Sequence, residues 1–439
     1  MPISVAIIGA GPAGFYTAEA LLKSDQDVAV DIIDWLPTPY GLIRAGVAPD
    51  HQTTKKVSRN FARTATNEAV GYYGNIKVGR DVSLAELRTF YDAVVLAVGS
   101  PHDRALGIPG EDKAGVFGSA EFVGWYNGHP SFCDLNPDLN TKAVAVIGNG
   151  NVAIDVARVL VKTPEEMATS DLPDYAAKAI QESPITDVYM FGRRGPVDAK
   201  FTNVELREMG KLETCVPQVD GSLLPDDVSD FPGLSDRDRR LKERNMATLR
   251  EFAERKADEK PKRVHFEFYA APVEILGGDR VEGLRLERTK VEEGRAVGTG
   301  EFFEIECGLV LPAIGYQATP IEGAPFDAKR GVVPNEDGRV EDGLYAVGWV
   351  KRGPTGVIAT NRPDGVAVAG HILEDFAKGE KPGREAFEGL LRERDLRPVS
   401  FDNWLSIEAA EEANAPAPAP RLKFYRIDAM LEAIGNTED

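Results

Sequence analysis

Gly9-Ala10-Gly11-Pro12-Ala13-Gly14 follows the apolar run Ile3-Ser4-Val5-Ala6-Ile7-Ile8 and precedes a helical pattern from Phe15 to Lys23. A strand that runs into a glycine-spaced turn and out into a helix suits a dinucleotide pyrophosphate. Gly9 permits the tight turn, Gly11 lets the ligand come close to the backbone, and Gly14 lets helix and strand pack together. The helix start then offers bare N–H groups to the phosphates. The next apolar run, Val28 to Ile33, ends at Asp34, about 20 residues past Gly14, where a carboxylate accepts from a ribose hydroxyl. A second turn, Gly148-Asn149-Gly150-Asn151-Val152-Ala153, follows the run Ala143 to Ile147, with Ala153 in place of the third glycine. The run Val188 to Phe191 leads into Gly192-Arg193-Arg194-Gly195. Two arginines where the first turn has an acid fit a 2′-phosphate, so the turns divide as FAD at the first and NADPH at the second.

Outward from these turns, short β-branched runs alternate with helical patterns, which reads as α/β. Several runs end directly in glycine, at Gly9, Gly99, Gly148, Gly192 and, after Ile314, Gly315. Tyr91 to Gly99, Leu309 to Tyr316 and Leu344 to Trp349 are three such strand-to-glycine connections, and Arg352-Gly353-Pro354-Thr355-Gly356-Val357-Ile358 opens a further helix. Trp349 stands where many flavin disulfide reductases carry an Asp, and an aromatic there can cover a flavin.

The net charge of −19 argues against wholesale binding to nucleic acid or to an anionic membrane surface. It sets no obstacle to phosphate binding, because backbone N–H groups need no formal charge. No stretch approaches 18 apolar residues, so no membrane span is expected. The strand pattern begins almost at Met1, so no leader is expected, and a reducing cytoplasm fits best. Cys133, Cys215 and Cys307 form no CxxC pair, which argues against an iron–sulfur cluster, a zinc ribbon or a redox disulfide, and no metal site is read. The stretch Asp236 to Arg263 is locally basic, with 11 Lys+Arg against 7 Asp+Glu. Near the C-terminus an Ala-Pro alternation, 415–420, reads as an extended spacer. Leu422, Phe424, Ile427, Leu431 and Ile434 follow at helical spacing and read as a docking helix.

Together, Gly9 to Gly14, the stretch Pro39-Tyr40-Gly41-Leu42-Ile43-Arg44-Ala45-Gly46-Val47-Ala48-Pro49-Asp50-His51, Gly148 to Ala153, and Arg193 to Pro196 with Phe201-Thr202 and Glu205 to Glu208 resemble an adrenodoxin-reductase-type ferredoxin–NADP(+) reductase. Gly348-Trp349 and Arg352 to Ile358 complete the resemblance, which runs from about residue 3 to residue 435. It implies FAD contacts at Ala13, Asp34, Leu42, Val78, Trp349, Gly356, Val357 and Ile358. It implies NADP contacts at Arg104, Asn149, Gly150, Asn151, Val152, Arg193, Arg194, Glu205 and Gly356. Asp34 departs from the glutamate common in that family and is one methylene shorter. Tyr40 stands where Phe or Trp is frequent.

The expected architecture is two Rossmann-like three-layer domains: a split FAD domain, 1–104 and 325–439, with an NADP domain, 105–324, inserted between. The expected reaction moves a hydride from NADPH to FAD and then single electrons to a [2Fe–2S] ferredoxin, serving a cytochrome P450 or another oxygenase. His51 and Glu205 are the candidates for polar groups beside the reacting rings, since a histidine titrates near neutral pH. Arg237, Arg239, Arg240, Lys242 and Arg244 are the candidate dock for an acidic ferredoxin. The other four histidines show no ligand spacing and read as structural or surface residues. Two rivals, an NADPH-dependent flavin monooxygenase and a non-catalytic flavin-binding protein, are disfavoured by the missing FxGxxxH fingerprint and by the intact second turn, respectively.

Overall fold

The computed structural model describes residues 1–228, 231 and 233–435. Two compact units emerge: Met1–His102 with Asn127–Cys133 and the chain from Gly315 onward, and Asp103–Tyr126 with Asp134–Ile314. The first unit opens with β1 (Ile3–Ile8), α1 (Pro12–Leu22), β2 (Val28–Ile33), α2 (Leu42–Ala45), β3 (Val70–Tyr73) and β4 (Ala93–Leu96). The second supplies β5 (Ala143–Ile147), α3 (Asn151–Val161), β6 (Asp187–Gly192), α4 (Asn203–Met209), β7 (Cys215–Val219) and α5 (Asp236–Ala253). It continues with β8 (Lys262–Phe268), β9 (Ala270–Leu276), β10 (Gly283–Glu292), β11 (Arg295–Glu306) and β12 (Leu309–Pro312). The first unit resumes with β13 (Arg339–Glu341), β14 (Leu344–Ala346), α6 (Trp349–Arg352), α7 (Asn361–Asp375), α8 (Arg384–Glu393), α9 (Phe401–Ala413) and α10 (Ile427–Glu432).

In the first unit the strands run β13-β14-β4-β1-β2-β3, parallel except for the β13–β14 pair. Every residue of β1 is buried, because helices cover both faces of the sheet. Ile3, Val5 and Ile7 pack with Phe15 and Leu21 of α1, Ile372 of α7 and Trp404 of α9. Ala6 and Ile8 face the other way, toward Leu87, Phe387 and Leu391. This alternation is the three-layer arrangement expected from the sequence.

The second unit carries a parallel sheet ordered β12-β5-β6-β8-β7. One face holds helical residues such as Phe252 of α5, whose ring lies 6.0 Å from Phe266. The other face packs on an antiparallel sheet, β9-β10-β11, through Ala145, Ile147, Ile275, Leu284 and Leu286. The third layer of this unit is therefore sheet rather than helix. Glu292 pairs with Arg295 across the two-residue turn Glu293-Gly294, whose φ angles of 48° and 75° give the hairpin its tight reversal.

The chain leaves the second unit at Ile314, not at 324, because β12 is that unit's last strand. Ala318 already packs in the first unit's core. The C-terminal stretch also differs from expectation. Ala419 N–H donates to the Pro416 carbonyl, 2.8 Å, so the Ala-Pro spacer carries a turn instead of running straight. The helix begins only at Ile427, and Met430, not one of the residues read from the spacing, is its buried anchor.

Candidate functional site

Each glycine turn stands at a point where its sheet reverses order. β1 lies between β4 and β2, and β5 lies between β12 and β6. Crevices at such switch points, beyond the strands' carboxyl ends, take ligands in open α/β sheets.

Within the first turn the three glycines do separate jobs. Gly9 has φ +113°, and a Cβ there would lie 2.5 Å from the Ala97 carbonyl oxygen. At Gly14 a Cβ would lie 2.2 Å from the Gly9 carbonyl oxygen. Gly11 caps α1 with ordinary extended backbone, φ −83° and ψ −178°, and a Cβ there would meet no atom within 4 Å. No side chain caps α1 and no acid stands in its first turn, whereas Ser83, Thr163, Thr202, Ser235 and Ser400 cap other helices with their hydroxyls. The bare amides of α1 together with the open space at Gly11 fit a pyrophosphate.

Asp34 sits at the end of β2, where its Oδ2 accepts from Ala10 N–H, 2.7 Å, and its Oδ1 from Leu36 N–H, 2.9 Å. Burial outweighs these donors and pushes the carboxyl up to about 6. The residue is nevertheless only half-buried, so it is tied to the turn and still within reach of a ribose hydroxyl. A Cβ on Gly348 would lie 2.6 Å from the Ala13 Cβ, which brings the start of α6 against α1. Trp349 Nε1 donates to the Thr355 carbonyl, 3.2 Å, and its ring lies 5.9 Å from Tyr316. The same carbonyl accepts from Arg352 Nε and Nη2, each at 3.3 Å. Arg352 also bonds Thr360 and Asn361 and pairs with Asp364, and so holds the 353–360 loop in shape. The loop presents Val357 outward and Ile358 half-buried, with Gly356 at φ +88°. Leu42 is exposed at the head of α2, and Val78 is half-buried against the core that holds Ile8 and Ile33.

The second turn repeats this division of labour. Gly148 has φ +148°, and its Cβ would lie 2.4 Å from the Ala313 carbonyl oxygen. Gly150 caps α3 with φ −111° and ψ 179°, and a Cβ there would meet nothing within 4 Å. Ala153, in the third position, is fully buried. The Asn149 carbonyl accepts from Lys200 and Phe201 N–H, and Asn151 Oδ1 accepts from Thr202 N–H, 2.8 Å. The loop before α4 is thus bound onto the turn, with Val152 half-buried beside it. Arg193 is exposed beyond β6, and Arg194 is half-exposed with Nη1 3.1 Å from Asp198. Arg104 is half-buried in this unit.

Glu205 does not stand as a solvated helix carboxylate. Arg158, fully buried on α3, places Nη1 2.8 Å from Asp155, 3.5 Å from Glu205 and 3.7 Å from Glu208. Arg158 went unread in the sequence, although one arginine inside Val156-Ala157-Arg158-Val159-Leu160-Val161 is itself a signal for a buried partner. His51 is half-buried at the head of the short helix Gln52–Lys55, in the other unit. Elsewhere, His102 is exposed, and burial pushes His129 down to about 4 between Trp35 and Phe132. His265 bonds Asp187 and stacks on Tyr189, and His371 faces Asp337.

Of the five candidate docking residues on α5, Arg237, Arg240 and Arg244 are exposed. Arg239 donates to the Val228 carbonyl, 3.4 Å, and the half-buried Lys242 donates to the Ala199 carbonyl. The outward charge of this helix is therefore smaller than the sequence suggests. Among the described residues no helix is long and apolar enough to cross a membrane.

Residues 3–186 match the family model described as pyridine nucleotide-disulphide oxidoreductase. The chain is 43% identical to the mitochondrial NADPH:adrenodoxin oxidoreductase of Arabidopsis thaliana, over 99% of this chain and 96% of that one. It is 41% identical to the human mitochondrial protein of the same name, over 98% and 92%. The solved structure of Mycobacterium tuberculosis FprA in complex with NADPH superposes with a TM-score of 0.92, at 38% identity, covering 99% of this chain and 100% of that one.

Proposed function

The chain belongs to the family of the NADPH:adrenodoxin oxidoreductases and NADPH–ferredoxin reductases, and from that membership we propose that it oxidises NADPH and reduces a [2Fe–2S] ferredoxin through FAD. The observation that carries this reading is the pair of turns whose middle glycines, Gly11 and Gly150, face open space at sheet switch points. When bound, FAD takes the hydride and releases electrons one at a time. The chain's part is to hold and to orient. The amides of α1 receive the FAD pyrophosphate, Asp34 accepts from its ribose, and Trp349 with the 353–358 loop lies where the resemblance puts the flavin. The amides of α3 receive the NADPH pyrophosphate, and Arg193 and Arg194 receive the 2′-phosphate. His51 and Glu205 keep, in this reading, the polar roles that the sequence suggests for them, with Arg158 fixing Glu205. The cysteines are free thiols, and burial pushes Cys215 and Cys307 up to about 12, so neither is a ready nucleophile or relay. A cytoplasmic location and an oxygenase, such as a cytochrome P450, as the final user of the electrons belong to the same proposal.

The test is NADPH-driven cytochrome c reduction by the purified yellow protein, with and without a [2Fe–2S] ferredoxin. Strong stimulation by ferredoxin is expected. Hydroxylation of a substrate without ferredoxin, or no bleaching of the flavin by NADPH, overturns the assignment.

For the ferredoxin dock, the exposed Arg237, Arg240 and Arg244 support the basic helix face as the site. Reversing all three to Glu should lower ferredoxin reduction about tenfold at low salt and flatten its decline with ionic strength. Reduction of ferricyanide, a small acceptor, should not change. A parent-like salt profile in that variant would remove α5 from the interface.

A further inference from the structure

The C-terminal segment was read from sequence only as a spacer and a docking helix, and the proposed electron transfer leaves it without a task. In the first unit, residues 421–424 grip the α2 segment from two sides. Arg44, on α2, donates Nη1 to Glu411 Oε2, 2.8 Å, and Nη2 to the Phe424 carbonyl, 3.3 Å. Glu411 is fully buried on α9 and also accepts from Phe424 N–H, 2.9 Å. Lys423, only 3% exposed, donates to the Arg44 carbonyl, 3.1 Å, and to the Asn127 carbonyl, 2.9 Å. The side chain of Arg44 and its carbonyl are thus both held by one short stretch of chain, and a buried lysine spends its charge on doing so.

What this grip holds is the wall of the first glycine turn. Tyr40 N–H donates to the Ala10 carbonyl, 2.8 Å, and a Cβ on Gly41 would lie 3.0 Å from the Gly11 Cα. Tyr40 has φ +82°, a conformation that a bulky residue keeps only when its surroundings enforce it. Trp404 of α9 meets its ring edge-on at 5.9 Å and takes the Arg44 guanidinium on its own face at 5.3 Å. Released from the grip, the Tyr40-Gly41 turn has reason to relax, and it would do so beside Gly11.

We propose that residues 421–424 are a latch that holds the 40–45 segment against the first turn and sets how fast FAD leaves, with Lys423 as its positioning residue. The inference rests on FAD binding at that turn. The experiment uses the full-length FAD-loaded protein and follows flavin fluorescence on dilution. Lys423→Met keeps the side chain's bulk and strips both carbonyls of their donor. It should release FAD about tenfold faster or more, and Lys423→Arg should restore the slow rate. NADP(+) affinity, which the second turn and its arginines mainly carry, should stay at the parent value. If Lys423→Met does not fold, Glu411→Gln carries the same expectation of faster release. A purely structural segment would lower the melting temperature and leave the release rate unchanged, and that result overturns the latch. A parent protein that binds no FAD overturns both the latch and the function it rests on.

Discussion

Gly11→Ala should yield a folded protein without flavin colour, and Gly150→Ala a folded yellow protein that NADPH no longer reduces at ordinary concentrations. Both positions have backbone angles that any residue adopts, and at both an added methyl would meet no protein atom within 4 Å. No clash in the chain itself therefore requires glycine there, and beyond the modest preference of an N-cap for Gly over Ala the cost arises from a ligand that must touch the backbone. Moving a phosphate off the helix amides forfeits charge-assisted hydrogen bonds worth about 1.5–3 kcal/mol each. One lost bond weakens binding about tenfold or more, and two about a hundredfold or more. The ratio of flavin to protein absorbance reads the first variant, and the KM for NADPH reads the second. Thermal melting of the apoproteins should fall only slightly, by the N-cap preference for Gly over Ala. Gly9→Ala and Gly14→Ala make the contrast, since their methyls would sit 2.5 Å and 2.2 Å from backbone oxygens and should damage the fold itself. If Gly11→Ala keeps FAD at parental affinity, the first turn is not a pyrophosphate site.

The central strands were legible because the physics that buries them also writes their sequence. β2 and β5 came out residue for residue, as β-branched runs covered on both faces that stop at the carboxyl edge of their sheets. The sheet β9-β10-β11 was not legible, because one side of its hairpin faces water and strands such as Arg295–Glu306 alternate with charge instead of forming an apolar run. β7 and β8 were missed for a related reason: Cys215–Val219 carries a proline, and Lys262–Phe268 alternates polar with apolar residues and starts at the very end of the stretch, 236–263, read only for its charge. At the site, the glycines and Asp34 could be read because their role is local. Arg158, Arg352 and Lys423 could not, because each also holds a partner distant in sequence, 12 residues away for Asp364, 47 for Glu205 and 296 for Asn127. What the sequence showed of the α5 charges was their number. What it hid was that Arg239 and Lys242 spend theirs on carbonyls of their own unit.

The same distinction between a charge present and a charge available governs the second large effect. Arg193→Ala with Arg194→Ala should raise the KM for NADPH about a hundredfold or more while leaving the KM for NADH nearly unchanged, so that the preference between them collapses. A 2′-phosphate is all that separates the two nucleotides, and each arginine contributes a charge-assisted bond of about 1.5–3 kcal/mol to it. The single variants should not be equal. Arg193 stands exposed and makes no ion pair with a described residue, whereas Arg194 already shares its guanidinium with Asp198 at 3.1 Å. Arg193→Ala should therefore cost more than Arg194→Ala, and Asp198→Asn should improve the KM for NADPH by releasing Arg194. At the first turn the corresponding position carries Asp34, which would repel a 2′-phosphate, so one chain of net charge −19 assigns its two nucleotides through the sign of a few side chains. A double variant that still prefers NADPH would mean that another cation reads the phosphate, and Arg104, the remaining arginine that the family resemblance puts at the nucleotide, would be the next to replace.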